Sequence, residues 1–183
     1  MNREDQTIEF ASLICIQETW HHQNNDNNVS LNGFEGHFNS GSVWKGNGIC
    51  NFYKALFNVD QAIWAPDFQI TKMSTEQCHV INVYWKGKSE TTFLYALKPL
   101  VSDTSKTHVL GDFNYNISNE VQNKVSSWLS SKHLVQMIKK PTQIQGGVID
   151  HVWIPESMIP SVEVKTKSVY YSDHDMMVVC LKC

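Results

Sequence analysis

The chain predicts an α+β fold, a two-layer β-sandwich with helices on its outside. Short apolar or β-branched segments recur from Ser12 to Leu181, while one stretch alone has clear helical periodicity. A length of 183 residues suits a single domain spanning residues 1–183, with enough chain for a sizeable core.

Taken in order, Arg3–Ser12 is expected as a short helix with Ile8, Ala11 and Ser12 on one side. Ser12–Gln17 reads as the first strand, and His21–Asn28, rich in turn formers, as an exposed loop. Gly48–Tyr53 and Val80–Trp85 follow as buried strands. The segment from Glu90 or Thr91 through Leu97, before Pro99, fits a helix, and Thr92–Leu97 fits a strand equally well. Thr107–Leu110 is a strand. Asn119–Lys132 is the clear helix, with Val121, Val125, Trp128 and Leu129 on one stripe and Ser118 as N-cap. Val148–Ile154, Val162–Thr166 and Met176–Leu181 complete the strands.

Composition narrows the function. Hydrophobic content of 42% and charged content of 18% describe an ordinary globular protein. No apolar run approaches a membrane span of about 18 residues, and Met1–Gln6 lacks a signal-peptide pattern, so the chain reads as intracellular. Net charge is −3 with one arginine, Arg3, which disfavours avid unaided binding to nucleic acid. A phosphate substrate stays open, because metal ions can neutralise acidic ligands locally. Of the five cysteines, Cys15 and Cys180 are expected to be buried strand residues; Cys180 and Cys183 form a C-x₂-C without the second pair that zinc needs.

The chemistry concentrates at strand ends. Gly111-Asp112-Phe113-Asn114 closes the apolar run His108-Val109-Leu110 and delivers two hard oxygen ligands of the kind Mg²⁺ prefers. Asp112 and Asn114 lie two apart and share a face, with Phe113 on the other; the alternative is an Asx-type turn. Glu18 follows Leu13–Ile16 as a metal ligand or as a solvated strand end. Asp173-His174 offers a carboxylate-supported proton carrier, or a plain surface turn. Asp150, inside an apolar strand, needs a partner such as a histidine from a neighbouring strand, while His151 points oppositely and reads as structural. His21, His22, His37, His79, His108 and His133 lack ligand spacing.

In this order, Gln17-Glu18-Thr19, Tyr84 after Val80-Ile81-Asn82-Val83, Gly111-Asp112-Phe113-Asn114, Ile149-Asp150-His151 and Ser172-Asp173-His174 resemble the endonuclease/exonuclease/phosphatase superfamily, the DNase I-like fold. The wording Glu-Thr-Trp, Gly-Asp-Phe-Asn and Ile-Asp-His-Val-Trp is especially similar to endonuclease domains of non-LTR retrotransposons and Helitron-type mobile elements. The resemblance runs from about Leu13 to Leu181.

It implies that Glu18 binds Mg²⁺ or Mn²⁺ with Asp173 supporting the metal shell, and that Asp112 orients or deprotonates the attacking water. It implies further that Asn114 holds that water and the phosphate, that Tyr84 contacts the phosphate, and that His174, backed by Asp150, stabilises phosphoryl charge. The implied substrate is DNA, nicked to leave a 3′-hydroxyl, in the nucleus, beside a reverse transcriptase or helicase region of a larger polyprotein. The family's first core strand has no counterpart before Leu13, so the resemblance implies an N-terminally truncated domain with reduced stability and impaired catalysis. A catalytically impaired binding remnant and a phosphatase acting on a phospholipid-type substrate are the competing readings.

Overall fold

A computed structural model describes residues 10–20, 29–39, 48–118 and 123–182. Its eleven strands are β1 (Leu13–Gln17), β2 (Glu35–Asn39), β3 (Ile49–Tyr53), β4 (Asn58–Ala65), β5 (Phe68–Ser74), β6 (His79–Trp85), β7 (Thr107–Asp112), β8 (Leu134–Gln136), β9 (Asp150–Pro155), β10 (Val162–Lys167) and β11 (Met176–Leu181). Among the described residues two α-helices join them, α1 (Glu90–Leu97) and α2 (Lys124–Ser131), and Phe10 is helical just before β1.

The central layer is a six-stranded sheet ordered β4-β5-β6-β7-β9-β8. Only β6 and β7 run parallel within it. A parallel neighbour needs a crossover connection, which α1 supplies. This is why the segment after Glu90 is helix and not the strand Thr92–Leu97. Phe93 and Leu97, four apart, both turn into the core.

One face of the sheet, with Ile81, Val83, Trp85, Val109 and Phe113, buries against Phe93, Leu97, Val125 and Leu129 of the two helices. Trp85 and Phe93 stack with centroids 4.7 Å apart. The opposite face is covered by two small sheets, β1-β3-β2 and β10-β11. Met177, Val179 and Val164 of β10-β11 pack on Val152 and Ile154 of β9. The result is the expected layered sandwich with helices outside.

Several local expectations change. Helix α2 starts at Lys124 and is capped by Asn123, whose side chain accepts the Ser126 N–H at 2.7 Å. Ser118 does not cap it, since it lies five positions before Asn123 and its Oγ donates to Asn116 Oδ1 at 2.6 Å; Val121 lies outside the described residues. Ala11 and Ser12 are not helical, because the Ser12 carbonyl accepts Lys54 N–H at 3.0 Å and extends the β1–β3 pairing. Residues 3–9 of that expected helix, the loop His21–Asn28 and Cys183 also lie outside the described residues. Cys180 is exposed and Cys15 only half-buried, a consequence of lying in small outer sheets. Strands β2, β4, β5 and β8 were not expected. No helix among the described residues is long and apolar enough to cross a membrane.

Candidate active site

Strand register assembles the site. Tyr84 on β6 pairs with Asp112 on β7, and Asp112 pairs with Asp150 on β9. Paired residues on adjacent strands share a face about 4.8 Å apart. Tyr84, Asp112 and Asp150 therefore form one row at the end of the central sheet, on the face that the small sheets cover. Gly111 permits the close pairing at this point, with φ +130° and a virtual Cβ only 2.0 Å from the Val83 carbonyl oxygen.

Each end of the row gains a partner from the covering layer. At one end Glu18, just past β1, accepts the Tyr84 hydroxyl at 2.6 Å. Glu18 and Trp20 both hold positive φ, 51° and 56°, and Thr19 N–H ties the turn to the Gly48 carbonyl at 3.1 Å. Such conformations persist where surrounding contacts over-determine them. A line of amides fixes β1 above the sheet: Gln17 Nε2 donates to Asn82 Oδ1 at 2.6 Å, and Asn82 Nδ2 donates to Asn51 Oδ1 at 2.9 Å.

At the other end the loop before β11 brings in His174, whose Nδ1 lies 2.9 Å from Asp150 Oδ2 and 3.1 Å from Oδ1. Asp150 is thus the buried acid with a histidine partner. The hydrogen bond to Asp150 outweighs partial burial and pushes the His174 pKa up to about 9, so the imidazole is a cation at neutral pH. Thr142 braces this end: its Oγ1 accepts Asp150 N–H at 3.2 Å and its carbonyl accepts Asp175 N–H at 2.7 Å.

Asp112 sits between the two pairs, 3% exposed. It accepts the Asn114 backbone N–H at 2.8 Å and the Asn114 Nδ2–H at 3.0 Å, with Asn114 at φ 46°. The Asx turn and the carboxylate–amide pair are one arrangement. Burial, then the Asp150 charge, raises the Asp112 carboxyl to about 7. Burial and the hydrogen bond to Glu18 hold the Tyr84 phenol well above its ordinary range, so it remains a donor.

Other expected residues stand apart. His151 is buried against Phe113, rings stacked at 4.5 Å, with Nε2 3.0 Å from the Tyr115 carbonyl. Burial lowers its pKa to about 4, which fits a structural, neutral ring. Asp173 is exposed, and its Oδ2 accepts Gln143 Nε2–H at 3.4 Å. Gln17, Asn51, Asn82 and Thr142 were missed. Asn82 had a signal, being a lone amide inside an apolar strand.

Ligand-capable atoms of Asp112, Asp150 and His174 lie within 4.8 Å of one another. A divalent cation fits this end of the row, because the Asp112 and Asp150 oxygens are hard donors and, beyond the effect of burial, the Asp150 charge acts against that of Asp112.

No family model and no curated protein matches the chain. Solved structures do. The AP endonuclease LMAP from Leishmania major matches with a TM-score of 0.69 and 11% identity over 99% of this chain and 81% of that one. The Xenopus laevis APE2 catalytic domain gives 0.64 and 13% over 98% and 87%. The endonuclease domain of TRAS1, a telomere-specific non-LTR retrotransposon, gives 0.57 and 12% over 96% and 81%. The chain has the DNase I-like fold that these endonucleases share.

Proposed function

We propose that the chain is a phosphodiester hydrolase that nicks DNA with Mg²⁺ or Mn²⁺ and leaves a 3′-hydroxyl. The observation that carries this reading is the row itself, with Asp112 set between the Glu18–Tyr84 and Asp150–His174 pairs. The fold shared with endonucleases and the mobile-element wording of the motifs support DNA as the substrate and a mobile element as the setting.

In this mechanism Asp112 orients the attacking water and takes its proton. Asn114 fixes the Asp112 carboxylate and holds the water against the scissile phosphate. His174, kept cationic by Asp150, faces the phosphoryl oxygens on which charge develops. The Tyr84 hydroxyl, held by Glu18 in this structure, would turn to contact the phosphate. Glu18, Asp112 and Asp150 carry the oxygens that would hold a divalent cation, with Asp173 supporting the shell. Bound there, such an ion supplies charge neutralisation at the phosphate.

The test is supercoiled plasmid with the purified chain and Mg²⁺, beside His174→Ala and an EDTA control. Nicking that needs the metal and His174 is the expected result. Absence of nicking from a folded chain overturns the proposal.

A further inference from the structure

The two loops that hold His174 also carry three large exposed side chains. Tyr170 is 91% exposed, Tyr171 64% and Ile144 84%. The tyrosine rings meet edge to face, 5.2 Å between centroids. Hydrogen bonds lock the loops together: Ile144 N–H donates to the Asp173 carbonyl at 2.9 Å, and Asp175 N–H donates to the Thr142 carbonyl at 2.7 Å. Ser168 Oγ donates to Asp175 Oδ1 at 2.8 Å and closes the second loop at its base. The aromatic pair is thus presented on a braced tip.

Single exposed apolar residues are ordinary. Three on bridged loops beside a catalytic histidine are a surface with a place in the reaction. Tyr171 lies three positions before His174 and Tyr170 four, so the Cα atoms lie within roughly 11 and 14 Å. A DNA strand rises about 3.4 Å per nucleotide. The rings therefore stand within about three or four nucleotides of a phosphate at His174. Aromatic faces stack on any nucleobase and so supply affinity without sequence readout. A chain of net charge −3 has little phosphate attraction to rely on, although exposed Lys139 and Lys140 lead into the Thr142 loop.

We propose that Tyr170 and Tyr171, with Ile144 beside them, form a stacking platform for an unstacked nucleobase next to the scissile phosphate. The preferred substrate is then DNA with a locally open base, as in a single strand, a gap or a mismatch. This rests on the phosphodiesterase reading above.

The experiment compares the full chain with Tyr170→Ala/Tyr171→Ala and Tyr170→Phe/Tyr171→Phe. Binding of a fluorescent single-stranded oligonucleotide is measured in EDTA, and cleavage of a mismatch-bearing duplex and of bis(4-nitrophenyl) phosphate in Mg²⁺. The alanine variant should weaken binding about tenfold, the loss of one stacked base. Its ratio of DNA cleavage to small-diester cleavage should fall by a similar factor, and the phenylalanine variant should restore both. Wild-type binding by the alanine variant, or no rescue by phenylalanine, overturns the platform. Failure of the wild-type chain to cleave either substrate overturns the phosphodiesterase reading alone, because the EDTA binding arm still reads the platform.

Discussion

His174 directs Nδ1 onto the Asp150 carboxylate at 2.9 Å, so this bond engages one of its two ring nitrogens. Removing the ring should cost the proposed nicking activity about 10²–10⁴-fold, the usual worth of a positioned proton-transfer or charge-stabilising group. Asp150→Ala should fall in the same range. Single-turnover nicking of plasmid by each variant checks both, with circular dichroism to confirm folding.

The same pair governs stability in the absence of metal. His174 has a raised pKa, so its contribution is complete below about 6.5 and disappears as pH climbs through about 9. Asp112, also raised, contributes fully below its ordinary value and loses that contribution as pH passes about 7. Both slopes carry one sign. Asp112 has given up its share by about pH 7, so melting temperature in EDTA should fall from pH 6.5 to 9 chiefly through His174, and saturating Mg²⁺ should flatten the decline. A flat profile in EDTA would contradict the assigned pairing.

Tyr84→Phe removes the hydroxyl that orients Glu18 at 2.6 Å. Groups that orient metal ligands typically tune affinity 10–100-fold. The Mg²⁺ concentration for half-maximal nicking should rise by about tenfold, while stability drops by only about 1 kcal/mol. A magnesium titration of both proteins decides this.

Gly111→Ala would place a methyl group against the Val83 carbonyl at a positive φ. Relief requires β6 and β7 to separate where Tyr84 and Asp112 are paired. Loss of about 3 kcal/mol or more is expected, read as a lower urea midpoint, with activity lost even in the fraction that folds.

The fold class and the convergence of the strand-end polar clusters were legible in the chain because buried strands read as apolar runs and the polar clusters interrupt them. Asp150's need for a partner was likewise legible from its place in an apolar strand, while His174 as that partner came from the resemblance. Strands β4 and β5 were not. β5 buries polar Gln69 and Thr71 in mid-strand, and β4 mixes polar and apolar residues with most of its length partly or fully exposed. The start of α2 was misplaced by choosing Ser118 over Asn123, two equally good capping residues separated only by tertiary context. The amide line Gln17–Asn82–Asn51 joins residues 65 and 31 positions apart, and nothing local announces such a partnership.

The pairing of Tyr84, Asp112 and Asp150 has a consequence for how this chain tolerates change. Their alignment depends on two registers, β6 with β7 and β7 with β9, and a slip of one residue would turn a row member to the helix-covered face. Deletions inside those three strands should abolish the site outright, whereas the 3₁₀ turn Glu156–Ser161 between β9 and β10, at the opposite end of β9 from Asp150, can lengthen without moving any row member. Drift in such a protein is channelled into its connections and its non-facing surfaces. A backbone can then superpose over nearly its whole length on a structure with which it shares about one residue in nine.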